Sequence, residues 1–471
     1  MFILYNDILK FSVSLFLLFL IIISPFLDFF SISSIGWTTI FIILFAITLW
    51  VTRIIPTAVT SMLVIILFSL FNVLSFEEAS TSLGNEIIWL IISMLIMSFA
   101  VQETNLDKRL AFFIVSFSKG RIIYIYLTFI ILSFILTFII PTAMGRLTVL
   151  LPIALGFINT FKHQIDLNFS KAIILIITFA PYLSTTSVLT GAGGSIYSIS
   201  LFRSMAEYEW SYLYWIVVMM PLSVIMLFVL WIFIVFLFPS QEDYLYDIDN
   251  YLRNEKKALG HISASEKKLI ILYSLLILLW FTKSLHGMSI SMSALLITPF
   301  VFFPKVNIIE WETAKNNIDW GVPLLFASGF SIALALNKSG LTDVMRSFLA
   351  EYSKIFSGFL FPVMLVLLLI FLRFFFTNYT AMVASLMPVM FSFAVSSSFN
   401  PVWIGLLFLV SSSTSFLLPS QSAGNMLTFS TRYYSSKDLL LLGSLVTLAL
   451  ILVTYITAFF YWPLVGIPIS K

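Results

Sequence analysis

Apolar runs of about 20 residues, each ended by a few polar or charged positions, recur from one end of the chain to the other. Such a run crosses a hydrocarbon core of about 30 Å as a helix. The pattern predicts eleven spans, near residues 11–28, 36–52, 56–74, 87–103, 168–186, 212–238, 267–285, 289–303, 319–337, 401–417 and 439–462. Two further apolar blocks, 121–157 and 357–397, are each long enough for two helices. Each breaks in its middle at a polar or proline-bearing turn, FIIPTAMGR and FFFTNYTAM. Two full spans would bring those turns to a membrane surface, yet almost no flanking charge is present to hold them there. The expectation is a pair of re-entrant hairpins, whose tips stay at membrane depth because protein or a cavity surrounds them.

Composition agrees with this setting: 60% of the 471 residues are hydrophobic and 10% charged, against about 45–50% and 25% in soluble domains. The first apolar run follows Lys10 and lacks a small-residue cleavage site, so it reads as a retained helix. Without cysteine, neither a disulfide nor a thiolate metal site can form. With the N-terminus placed in the cytoplasm, seventeen of the 25 Lys and Arg residues fall on the cytoplasmic side and six outside, with Arg146 and Arg373 inside the hairpins. That asymmetry follows the positive-inside rule and predicts a multi-pass plasma-membrane protein with an extracellular C-terminus. The mixed-charge stretch 239–266 reads as a solvated cytoplasmic linker.

The linker separates two similar halves. After an extra N-terminal helix (1–35), residues 36–238 run three helices, a charged segment, a hairpin and two helices; residues 267–471 repeat that order. The two copies start on opposite sides of the membrane, which makes this an inverted-topology repeat. Thr142 stands ten residues before Pro152, and Asn378 ten before Pro388. After each hairpin comes an apolar helix interrupted by small and polar residues, LSTTSVLTGAGGSIYS at 183–198 and SFLLPSQSAGNMLTF at 415–429. Unpaired backbone groups cost several kcal/mol each in hydrocarbon. Carbonyls at a broken helix can bind a cation, and helix N-termini an anion. Two tips facing two broken helices therefore predict a small hydrophilic site for an anion with companion cations. Close helix packing by Gly and Ser is the other reading of these stretches.

The segments RIIPTAVTSMLVIILFSLFNVLSFEEA, LGNEIIWLIISMLIMSFAVQETNLDKRLAF, DWGVPLLFASGFSIALALNKSGLTDVM and FLLPSQSAGN resemble the divalent anion:sodium symporter family, the solute carrier 13-like transporters of dicarboxylates, citrate and sulfate. The resemblance runs from about Ile40 to Leu450. It implies an all-α, elevator-type homodimer in which surface helices at 104–118 and 339–355 join a moving domain to a fixed one. It also implies site residues. Thr142, Ala143 and Met144 at the first tip, and Asn378, Tyr379 and Thr380 at the second, occupy the places of the family's Ser-Asn-Thr, which contacts substrate. Ser422 stands where the family's Leu-Pro-x-x-Thr-Pro-Pro-Asn has Thr, Ala423 and Gly424 replace the prolines, and Asn425 is retained. Thr190, Gly193 and Gly194 fall where the family has a Thr and then Gly-Thr. Substrate contacts are thus expected from both tips, Arg146, Thr190 and Ser422. Sodium is expected at Asn378, Thr380, Ser422 and Asn425, with a weaker second site at Gly193 and Gly194. Arg146 either supplies positive charge that sodium supplies in relatives or snorkels toward the cytoplasm. Arg373 has the same two readings, snorkelling outward.

These features point to a carrier of a small organic or inorganic anion, by sodium symport or anion exchange, with lipid as its surroundings and neither a cofactor nor a nucleic-acid partner. Asp28, Glu86 and Glu103 lie at span ends and the three histidines in loops, so a carboxylate-based proton antiporter is disfavoured. The alternative is an intramembrane enzyme or a flippase acting on a phosphate-bearing lipid. An enzyme would need a base or a metal, and the apolar segments offer no His, Cys or acidic cluster.

Overall fold

The computed structural model describes residues 2–27, 32–344, 347, 360–376 and 378–470. Among them the chain forms helices and no strand. Six helices are long and apolar enough to cross a membrane: Ser34–Thr52, Glu86–Glu103, Ala143–Phe161, Tyr212–Leu237, Gly321–Lys338 and Ser436–Leu464. Shorter apolar helices accompany them, including Thr57–Leu70, Ile122–Leu136, Leu167–Leu183 and Pro401–Ser412. Phe228 and Phe236 project from one long helix, and Leu448 and Leu452 from another, all more than half exposed. Large apolar side chains on an outer face are costly in water and unremarkable in lipid. The molecule is a multi-pass membrane protein.

Beyond the first turn of Leu167–Leu183, which carries Asn168, Ser170 and Lys171, helices Leu167–Leu183 and Pro401–Ser412 have no polar face, and nearly all their residues are buried. A helix without a polar face belongs inside a protein. Around Pro401–Ser412 pack Gly193–Ala206, Tyr379–Ser396 and Leu360–Leu372; around Leu167–Leu183 pack Ile122–Leu136, Ala143–Phe161 and Tyr212–Leu237. Phe202 meets Phe391 edge-on at 5.0 Å within the first group, and Tyr197 stacks at 4.9 Å on Phe326 of the neighbouring helix Gly321–Lys338.

All four polar interruptions are breaks in helical structure. Ile122–Leu136 ends in a turn through Thr142, where Ala143–Phe161 starts. Leu360–Leu372 gives way to Tyr379–Ser396 in the same manner, with residue 377 outside the described residues. Leu167–Leu183 stops before a coil that ends at Gly193, and Pro401–Ser412 before one that ends at Ala423. The expected spans 168–186 and 401–417 are each shortened because the first serine and threonine hydroxyls of the interruption bond back to their own turn and compete with helix continuation.

The expected surface segment 104–118 contains helix Leu106–Val115, entered through Asn105 at φ 57°. Residues 345, 346 and 348–355 of the segment 339–355 lie outside the described residues. The linker 239–266 is more than a solvated connector. It forms helix Ile248–Leu259, which buries Ile248 and Leu252. Tyr251 sits among the rings of Phe112, Phe157 and Phe161, 5.4–6.4 Å from each centroid. Arg109 fastens its end, pairing with Glu266 at 2.6 Å and donating to the carbonyls of Leu259 and Gly260.

Candidate functional site

Three of the four breaks are closed by a side chain at the start of the following helix. Thr142 Oγ1 accepts from the Gly145 N–H at 3.0 Å, Asn378 Oδ1 from Thr380 at 2.9 Å, and Ser422 Oγ from Asn425 at 2.9 Å. The fourth, at Ala192, has no side-chain cap. Each cap satisfies one of the N–H groups that a helix start leaves open, and the rest stay available.

These four helix starts meet. Ala143, Gly193, Tyr379 with Thr380, and Ala423, the opening residues of the four helices, line a single cavity of about 500 Å³. Its wall is polar through hydroxyls and an amide: Tyr182, Thr185 and Ser413 are buried, Thr142 is half-buried, and Thr148 and Asn378 are exposed. The exposed residues Arg53, Gln102, Asn317 and Asp319 form its rim. Four positive dipole ends with free N–H groups facing one polar hollow constitute an anion-binding arrangement.

Of the residues expected at the site, Thr142, Ala143, Met144, Gly193, Asn378, Tyr379 and Thr380 are in the cavity wall. Arg146, Thr190, Gly194, Ser422 and Asn425 stand behind it, all buried. Thr190 is 3.2 Å from the Tyr212 hydroxyl. At Gly194 a Cβ would lie 2.7 Å from the Tyr379 ring, so close packing explains this glycine. Asn425 donates to the carbonyls of Ser415 at 2.6 Å and Leu418 at 3.1 Å, while its Oδ1 has no partner among the described residues. Tyr182, Thr185, Thr148 and Ser413 were missed by the sequence reading. Their signal was position alone, Tyr182 and Thr185 flanking the first interruption and Ser413 the second.

Neither arginine snorkels; both are fully buried. Arg146 spreads its guanidinium over four oxygens: Ile140 O at 2.9 Å, Gly191 O at 2.8 Å, Pro181 O at 2.6 Å and Thr185 Oγ1 at 3.1 Å. Three are carbonyls at or beside the broken ends, the groups expected to hold a cation. Arg373 donates to the Phe376 carbonyl, and its Nε and second terminal nitrogen have no partner among the described residues.

Comparison with known proteins places the chain among transporters. The chain is 28% identical to the sodium-dependent dicarboxylate transporter SdcS of Staphylococcus saprophyticus, over 94% of this chain and 89% of that one. It is 26% identical to SdcS of Staphylococcus aureus, over 94% and 90%. Its fold is similar to that of Neisseria gonorrhoeae MtrF, from a class described as antimetabolite efflux pumps, with a TM-score of 0.60 and 12% identity over 86% of each chain. The family model of the sodium:sulfate symporter transmembrane region matches residues 6–467, and the chain belongs to this family of transporters.

Proposed function

We propose that the protein carries a small oxyanion of the di- or tricarboxylate class across the plasma membrane, driven by sodium. The observation that carries this reading is the convergence of four helix N-termini on one cavity whose polar wall holds neutral hydroxyls and an amide. A carboxylate is recognised there by N–H and O–H donors, without a permanent ion pair that would slow release. The relatives named as sodium-dependent dicarboxylate transporters support the substrate class and the coupling ion.

In this reading the two tips handle cations differently. At the first, Arg146 occupies the carbonyl cluster at 140, 181 and 191 and serves as a built-in cation, which leaves Gly193 and Gly194 to packing and to the anion. At the second, Asn425 Oδ1, which has no partner among the described residues, with Ser422 three residues before it and with Asn378 and Thr380 of the tip itself, supplies oxygens for a sodium ion carried with the substrate. The hairpins are re-entrant, the halves form an inverted repeat, and the hairpins with the broken helices move as an elevator against a dimeric remainder. The cavity rim at Arg53 and Asp319 belongs to the cytoplasmic face, so this is an inward-open state.

Uptake of labelled succinate, citrate and sulfate into proteoliposomes tests the proposal. An inward sodium gradient is expected to drive accumulation of unaltered anion. Thr380→Ala combined with Asn425→Ala is expected to abolish the sodium effect, and Arg146→Gln to abolish transport or alter its sodium dependence. Equal flux in sodium and choline, stimulated by internal anion, would replace symport with exchange. Accumulation of neither succinate nor citrate would sink the substrate class, and accumulation of sulfate alone would replace it with an inorganic oxyanion. Normal transport by Arg146→Gln with unchanged sodium dependence would remove the built-in cation.

A further inference from the structure

The linker helix Ile248–Leu259 carries a second site, remote from the cavity. One side of it docks on the helix Leu106–Val115. Its other side, with the turn after Val115, walls a groove of about 670 Å³ lined by Ser116, Asp249, Leu252, Arg253, Lys256, Lys257, Gly260 and His261. Arg253, Lys256 and Lys257 are exposed and make no ion pair among the described residues. Arg109, the nearby cation with an obvious partner, is already committed to Glu266 and the Leu259 and Gly260 carbonyls. Lys256 and Lys257 do complement the helix dipole, being in its last turn. A dipole partner needs no groove, however, and Arg253 lies outside that turn.

Apolar surface continues directly from the groove. Phe113 and Phe117, on either side of Ser116, are 54% and 62% exposed and pack edge-to-face at 5.1 Å. Two large aromatic rings left open beside three unpaired cations is the pattern of a membrane interface, where rings meet acyl chains and cations meet headgroups.

We infer that this groove binds the headgroup of an anionic phospholipid, its phosphate held by Arg253, Lys256 and Lys257 and its chains lying along Phe113 and Phe117. The assignment rests on these exposed cations and rings in a membrane protein and is independent of the transported substrate. Lipid bound here would bridge the linker helix and Leu106–Val115 from outside, adding to the Arg109–Glu266 tie.

Native mass spectrometry of the purified protein exchanged into detergent with phosphatidylglycerol or phosphatidylcholine tests it, with inorganic phosphate as a separate arm. Wild type is expected to retain phosphatidylglycerol in preference to phosphatidylcholine, and R253Q/K256Q/K257Q to reduce that retention by about tenfold or more. A control triple, K305Q/R432Q/K437Q, removes the same charge elsewhere and is expected to retain lipid as wild type does. Phe113→Ser with Phe117→Ser is expected to weaken phosphatidylglycerol retention and leave phosphate binding unaffected. Equal retention by both triples would overturn the site. Binding of phosphate with no preference for phosphatidylglycerol would replace the lipid with a soluble anion and overturn the lipid assignment.

Discussion

At Gly443 a single hydrogen decides whether two segments fit. A Cβ there would lie 1.9 Å from the Phe416 carbonyl oxygen, in the coil between Pro401–Ser412 and Ala423–Phe429. Backbone cannot swing aside as a flexible side chain can, so Gly443→Ala is expected to destabilise the protein by about 3 kcal/mol or more. Gly84→Ala, with nothing within 4 Å, is the matched control; melting curves in detergent compare the two. Asp107, outside the spans, is 3% exposed, and its carboxylate accepts from the Lys108 N–H at 2.8 Å. Burial pushes its carboxyl up to about 6 from 3.8. The native state then holds a proton that the unfolded chain has released, so stability falls as pH rises through that interval and stays lower above it. Asp107→Asn is expected to raise the melting temperature at pH 7.5 by about 2–4 °C, with the difference vanishing near the lower end of the interval. Single-residue roles were the least legible part of the sequence. Arg146 stood out as a charge inside an apolar block, but its carbonyl partners come from Ile140, Pro181 and Gly191, and only folding brings those together.

Helices and their breaks were more legible, because hydrocarbon punishes unpaired backbone and so forces long apolar runs with polar punctuation. The four interruptions appear in the structure at the quoted stretches, each opening a new helix. The linker helix was overlooked for a physical reason: its charge density masks a short apolar stripe, Ile248, Tyr251 and Leu252, at helical spacing. What holds it is the Arg109 guanidinium, which donates to both carboxylate oxygens of Glu266, 2% exposed, at 2.6 and 3.2 Å, while the Ser263 N–H donates to the same carboxylate at 2.6 Å. These contacts hold the Glu266 carboxyl below its ordinary range despite burial. Removing one member of a buried pair strands the other. Arg109→Ala is expected to cost about 3–5 kcal/mol, while Arg109→Ala with Glu266→Gln should recover part of the loss. Limited proteolysis of the linker, read beside the melting curves, would show whether the helix detaches.

Taken whole, the cavity carries its exposed rim of Arg53, Gln102, Asn317 and Asp319 at one end, and an ion-pair network lies at the other end of the helix that walls it. Helix Glu86–Glu103 runs between them: Gln102 is on the rim, and at the far end Glu86 pairs with Arg203 at 2.7 Å, with Glu209 and Lys283 extending the network. Native cysteine is absent, so an introduced thiol reports alone. Thr142→Cys, in the cavity wall, is expected to react with a membrane-impermeant maleimide applied to the Arg53 face and to resist it from the Glu86 face in this conformation. The sequence could foretell, through its paired interruptions, which stretches line the cavity. It could not foretell which face is open, because a proposed elevator would bury the same apolar pattern in both of its positions.

A cation borne on a side chain never dissociates. With Arg146 seated among the carbonyls of Ile140, Pro181 and Gly191, its positive charge would make the outward and the return journey alike in the proposed carrier cycle. A freely exchanging ion at the same place would cross once per cycle and contribute its concentration ratio and its share of the membrane potential to the work of uphill transport. The guanidinium would contribute neither. On that proposal each cycle moves one fewer ion down its gradient, and the steepest substrate ratio the protein can sustain is lower by the factor that ion would have supplied.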